Sequence, residues 1–192
     1  MSNERPAARA LRPAPPGVGA NEDVAAMIRV DHAGEYGAVR IYEGQLAVLG
    51  ADKSKTKTVA AIRHMAEQEQ GHLKAFDALI NERRVRPTAL EPVWRAAGFA
   101  LGAATALMGE KAAMACTAAV EDVIDEHYAG QIERLGDGDP VLRQTIETFR
   151  TDEIAHRDTA LAFGAEEAPA YRLLSGAIKA GCRLAIALST RL

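Results

Sequence analysis

Aromatic residues make up only 5% of this 192-residue sequence, and cysteine occurs just twice, as Cys116 and Cys182. Two cysteines in apolar, helix-forming text cannot build a disulfide framework, so a reduced compartment is the reading that follows. Concentrated basic charge is missing too. With a net charge of -3 and an isoelectric point near 6.0, the chain lacks the basic face that a nucleic-acid partner requires. The longest uncharged apolar run, Ala96 to Gly109, has 14 residues, against the roughly 20 that a spanning helix needs. Residues 1–20 contain no apolar core of the secretory kind. Sustained period-two alternation and Asn-Gly hairpin turns are absent as well, so no sheet is expected.

What is present favours helices. Hydrophobic residues account for 48% of the chain, alanine and leucine are plentiful, and both enter a helix at little cost. The length suits one well-buried domain and a tail. Residues 1–20, rich in proline and arginine, read as a disordered tail, and residues 21–192 as the folded domain. Five helical stretches are expected. The first covers roughly 21–49, capped by Asn21 and stopped by Gly50; the second covers roughly 54–82, ending before Pro87. A long third stretch runs from Pro92 to Leu135. A fourth begins at Asp139 and Pro140 and reaches Phe163, and a fifth starts at Pro169.

Each of the first four stretches carries an acid within its apolar stripe. The stripes read Ile28, Glu35, Tyr42, Leu49; Ile62, Met65, Glu69, His72, Phe76; Met114, Glu121, Tyr128, Leu135; and Ile146, Phe149, Glu153, His156. A buried carboxylate without a cation is costly or takes up a proton. Four converging carboxylates call for a positive centre.

Two Glu-x-x-His pairs occur, Glu69 with His72 and Glu153 with His156, and a spacing of three on a helix turns both side chains to one ion. One pair alone is a weak signal; the repetition is the strong one. Glu35 leads the first pair and Glu121 the second, and Tyr42 and Tyr128 each follow the leading glutamate by seven residues. One glutamate from each of two helices plus Glu-x-x-His from two others is the ligand arrangement of all-α, ferritin-like four-helix bundles with di-iron or di-manganese centres. Oxygen and nitrogen donors without cysteine suit iron or manganese rather than structural zinc. Six protein ligands over two metals leave positions open for oxygen. Asp152 is placed to accept the ring N–H of a metal-bound histidine, most simply His72 on the facing helix. Tyr42 and Tyr128 read either as core packing or as hydrogen-bond partners of a ligand. His127, one step off the Glu121 stripe, is open to a substrate-facing role, a surface role, or none. His32 and His64 are not expected to be ligands.

The strings RVDHAGEYGAVRIYEGQ (29–45), EQEQGHLKAF (67–76), ACTAAVEDVIDEHYAGQI (115–132) and FRTDEIAHRDTAL (149–161) closely resemble the 5-demethoxyubiquinone hydroxylase family over roughly 21–192. HAGEYGA is far more specific than Glu-x-x-His. The resemblance carries the family's metal ligands onto Glu35, Glu69, His72, Glu121, Glu153 and His156, with none missing. It implies a di-iron monooxygenase with two Fe ions per chain that hydroxylates a polyprenylated methoxy-methyl-benzoquinone or its quinol late in ubiquinone biosynthesis. Oxygen is then the co-substrate, NADH the expected electron source, and a lipid-presenting protein a further candidate partner. The implied location is peripheral, on the cytoplasmic face of a bacterial inner membrane, with the matrix side of the mitochondrial inner membrane as the alternative. The same ligand set also serves ferroxidases, iron-binding proteins and peroxide-handling enzymes of this fold, which stand as the competing functions.

Residues 169–192 carry Arg172, Lys179, Arg183 and Arg191 and no acid. Arg172, Ser175, Lys179 and Arg183 share one stripe, while Leu173, Ala177, Leu184 and Leu188 lie elsewhere on an apolar face. Such an additional C-terminal amphipathic helix reads either as a contact with an anionic bilayer surface or as a helix packed on the bundle with its charges in water. A substrate with a long isoprenoid tail favours the membrane, with the apolar stretch 93–109 on the other side of the access path.

Overall fold

The computed structural model describes residues 22–192; the tail over 1–20 and the Asn21 cap lie outside the described residues. Six helices make up the fold: α1 (Glu22–Leu49), α2 (Thr56–Arg83), α3 (Glu91–Leu107), α4 (Glu110–Leu135), α5 (Pro140–Ala162) and α6 (Tyr171–Ser189), and no strand occurs among the described residues. The expected starts and stops hold in several places. Asp139 accepts from Leu142 N at 3.1 Å and so caps α5. The chain leaves α1 at Leu49, immediately before Gly50.

The expected single helix over 92–135 is in fact two. Gly109 takes φ +113°, a conformation that side-chain-bearing residues rarely adopt. The chain therefore turns there, and α3 and α4 pack on different partners. α1, α2, α4 and α5 form a ferritin-like four-helix bundle, with α3 laid along α1 and α6 along α4. Leu101 of α3 and Leu174 and Cys182 of α6 rest on one cluster built from Ile41, Cys116, Ala119, Val120 and Ile178, so both extra helices cover the same flank.

Inside the bundle the apolar core is divided. Tyr42, Leu49, Ile62, Met65, Met114 and Ala160 pack at one end; Ile28, Phe76, Tyr128, Leu142 and Ile146 pack at the other. Between them, at mid-height on all four helices, lie the buried acids.

The α1–α3 crossing depends on missing side chains. A Cβ on Gly102 would stand 2.0 Å from the Ile41 carbonyl oxygen, and one on Gly44 would stand 2.2 Å from that of Phe99. Backbone cannot yield as a flexible side chain can. Gly102→Ala is expected to cost about 1–3 kcal/mol, the usual penalty of overpacking. Gly71→Ala, whose Cβ meets nothing within 4 Å in α2, should instead stabilise by about 0.5–1 kcal/mol. Urea unfolding of the two variants checks this; equal effects would mean that α3 does not sit so close to α1.

Candidate metal centre

Helical periodicity brings one acid from each bundle helix to the same level. Glu35, Glu69, Glu121 and Glu153 are all at most 1% exposed, and His72 and His156 are at most 3% exposed. Their ligand atoms fall into two overlapping groups, each within 4.8 Å: Glu35, Glu69, His72 and Glu153 in one, and Glu69, Glu121, Glu153 and His156 in the other. Glu69 and Glu153 belong to both. Two cation positions sharing two carboxylates is what this overlap can accommodate.

The polar atoms at the centre lack hydrogen-bond partners. Glu35 Oε2, both oxygens of Glu69, Glu121 Oε2, Glu153 Oε1 and His72 Nδ1 are buried without one. Apart from contacts with the two buried imidazoles, nothing in the fold satisfies these atoms, and a bound cation would. His72 Nδ1 approaches Glu153 Oε1 to 3.1 Å and His156 Nδ1 approaches Glu69 Oε1 to 3.1 Å. Both rings therefore turn Nδ1 inward, leaving Nε2 to an outer partner: Asp152 Oδ2 for His72 at 3.1 Å, and Gln68 Oε1 for His156 at 3.1 Å.

Electrostatics point the same way. Burial pushes the Glu69 carboxyl well above the ordinary carboxylate range, and repulsion from Glu153, Glu35 and Glu121 adds to it. Glu121 is raised likewise, by burial first and then by Glu153. Burial would raise Glu153 too, but His156 and His72 outweigh it and hold it at about 2. Burial alone would lower His72; Glu153 and Glu35 instead lift its imidazole to about 11. Left to itself the cluster binds protons. Divalent cations would replace them.

Both tyrosine rings pack in the apolar core, and their hydroxyls reach the buried acids. Tyr42 donates to Glu121 Oε1 at 2.8 Å, and Tyr128 donates to Glu35 Oε1. Each repeat's tyrosine thus holds the leading glutamate of the other repeat. His127 is not brought into the acid cluster: its Nε2 lies 3.2 Å from Asp31 Oδ1 and 2.9 Å from Gln131 Nε2. His32 faces Asp77, its Nε2 3.0 Å from Oδ1. Asp31, buried beneath His127, and Gln68 were missed in the sequence. Gln68 was legible there, since it precedes Glu69 as Asp152 precedes Glu153.

The basic stripe of the last helix pairs in part with the bundle. Lys179 Nζ reaches Asp122 Oδ2 at 2.6 Å and Arg183 reaches Glu126 Oε2 at 2.9 Å, while Ser175 is buried. Lys179 and Arg183 lean toward acids that α4 presents at matching heights, the Arg183 side chain staying 55% exposed, and Arg172 is exposed as well. Large apolar side chains face outward beside these charges. Leu173 is 76% exposed and Leu184 61%, alongside Leu107, Val93 and Phe99 of the α3 region. No helix among the described residues is long and apolar enough to cross a membrane.

Fold and site together define a helical bundle whose buried carboxylates and histidines could hold metal. The chain belongs to the family described as "Ubiquinone biosynthesis protein COQ7", whose model matches residues 22–189. It is 59% identical over 164 residues to the 3-demethoxyubiquinol 3-hydroxylase of Rhodospirillum rubrum, covering 85% of this chain and 76% of that one. It is 54% identical over 170 residues to the human NADPH-dependent 3-demethoxyubiquinone 3-hydroxylase, mitochondrial, covering 86% and 76%. It is 43% identical over 175 residues to the 5-demethoxyubiquinone hydroxylase, mitochondrial, of Saccharomyces cerevisiae, covering 83% and 74%.

Proposed function

We infer that this protein hydroxylates the ring of a demethoxyubiquinone-type quinone or quinol in ubiquinone biosynthesis, using O₂ and a di-iron centre. The observation that carries the reading is the pair of overlapping ligand groups, in a chain similar throughout its described length to hydroxylases of that substrate. Glu35, Glu69, His72 and Glu153 serve one iron, and Glu69, Glu121, Glu153 and His156 the other. Two irons held there would supply the activation of O₂, one oxygen atom entering the ring and the other leaving as water with two electrons and two protons. Those electrons come from a reduced nicotinamide nucleotide: NADH is our expectation, and several relatives are named for NADPH.

The chain's own residues prepare this chemistry. Tyr42 and Tyr128 fix Glu121 and Glu35, while Asp152 and Gln68 fix the two imidazoles. Phe149 stacks on His72 with centroids 4.0 Å apart and, with Phe76, makes one wall apolar. An apolar flank of this kind keeps water from the His72 ring.

The substrate's isoprenoid tail assigns a task to the outward apolar faces of α3 and α6. They rest on a membrane surface, in our reading the cytoplasmic face of a bacterial inner membrane, with the mitochondrial matrix side as the alternative and a lipid-presenting protein as a further partner. Two buried leucines contribute about 3 kcal/mol or more, roughly a hundredfold in partitioning. Leu173→Glu with Leu184→Glu should therefore abolish co-flotation with phosphatidylcholine–phosphatidylglycerol vesicles at unchanged iron content. Undiminished flotation would remove α6 from the membrane contact.

The activity itself is tested with iron-loaded protein, demethoxyubiquinone, NADH or NADPH, and ¹⁸O₂. One labelled oxygen atom is expected in the product, with nucleotide oxidation that rises when quinone is added. Unlabelled product, or oxidation indifferent to quinone, would overturn the assignment in favour of peroxide handling. Many irons per chain with no quinone dependence would favour storage.

A further inference from the structure

The two halves of the site match almost residue for residue. Glu35 corresponds to Glu121, Tyr42 to Tyr128, and the Glu-x-x-His pairs to each other, and the tyrosine bonds cross between repeats in both directions. Both histidines turn Nδ1 inward and Nε2 outward, with outer partners at the same 3.1 Å. One chemical difference stands out. The residue before the first pair is Gln68 and the residue before the second is Asp152, and each faces the histidine of the opposite repeat.

We propose that this Gln68–Asp152 difference makes the two metal positions unequal, so that the position served by His72 fills first and the one served by His156 second. The inference rests on the two-metal reading of the site. A carboxylate accepting the His72 Nε2–H forms a charge-assisted hydrogen bond, roughly twice as strong as the neutral bond the Gln68 carbonyl makes to His156. Drawing on that proton raises electron density on the opposite ring nitrogen and makes His72 Nδ1 the better donor. The ring environments reinforce the difference: His72 stacks on Phe149 with an interplanar angle of 24°, whereas His156 meets the edge of Tyr42 at 81°. Asp152 and Gln68 are thus positioning residues that act through the histidines.

Sequential isotope loading tests this on the full chain. One equivalent of ⁵⁷Fe(II) is added anaerobically, followed by one equivalent of natural-abundance Fe(II), and the Mössbauer spectrum is recorded. Outer partners change metal affinity by about 10–100-fold, so the label should favour one of two quadrupole doublets by roughly tenfold or more. Asp152→Asn should even out the label by weakening the first position. Gln68→Glu should do so by strengthening the second, which keeps the test decisive if the first variant loads poorly. Combining the two should move the label to the other doublet, a reversal that a merely structural role would not produce. An even split in the parent protein, or a preference unchanged in the combined variant, overturns the proposal. Fewer than two irons per chain in the parent would overturn the two-metal reading beneath it.

Discussion

Glu153→Ala should strip iron from both positions at once. Glu153 is one of the two carboxylates common to both ligand groups, whereas His72 belongs to one. His72→Ala is therefore expected to retain about one iron, and Glu153→Ala close to none, with losses beyond the roughly 10–100-fold that removal of an outer partner costs. Hydroxylation should disappear in both. The bundle should survive, because the flanking apolar clusters that hold its two ends are untouched. A chelator-based iron count beside far-ultraviolet circular dichroism separates the outcomes. Two irons retained in Glu153→Ala would sink the shared-carboxylate geometry.

The metal-free protein should lose stability as pH rises from 6 to 8, a window over which a fold held by ordinary salt-bridged carboxylates stays level. Glu69 and Glu121 are raised well above their usual range by burial and repulsion, so over this window the folded chain holds protons that the unfolded chain has already released. His72, lifted to about 11, likewise keeps its proton where an unfolded histidine loses it. Groups raised on folding contribute stability below their unfolded values, and that contribution is lost as pH climbs through the folded ones. Glu153, held at about 2, is ionised in both states here and contributes no slope. Each extra proton on the folded chain gives about 1.4 kcal/mol per pH unit. At about 2–4 °C per kcal/mol for a chain of this size, the melting temperature should drop by about 5 °C or more. Iron displaces those protons, so the loaded protein should lose this slope, and loading should acidify a weakly buffered solution. A metal-free melting temperature that stays level or rises between pH 6 and 8 would show that the folded chain holds no extra protons there and the cluster is wired differently.

The clustering of the candidate ligands was legible in the sequence because helical geometry is rigid. A rise of 1.5 Å per residue and 3.6 residues per turn tie Glu69 to His72 and Glu153 to His156 before any tertiary contact exists. The repeat of a leading glutamate and a tyrosine seven residues on then requires four helices at one level. The all-helical class, the caps at Asp139 and Gly50, and the candidate set of four glutamates and two histidines follow from spacing and side-chain chemistry within single helices.

The tertiary structure decided what depends on the neighbour across a gap. Gly109 breaks the 92–135 stretch because two packing partners, α1 for α3 and the bundle for α4, reward a turn that local propensity does not demand. Lys179 and Arg183 looked like an outward basic stripe, since α6 alone does not reveal that Asp122 and Glu126 lie opposite. Pairing across helices draws Lys179 and Arg183 toward α4 at the surface, beside the exposed Leu173 and Leu184. The crossed tyrosine bonds, the two carboxylates common to both ligand groups, and the facing of Gln68 to His156 likewise exist only once α1, α2, α4 and α5 are side by side. Sequence periodicity fixes which face of a helix a residue occupies; only packing fixes what that face meets.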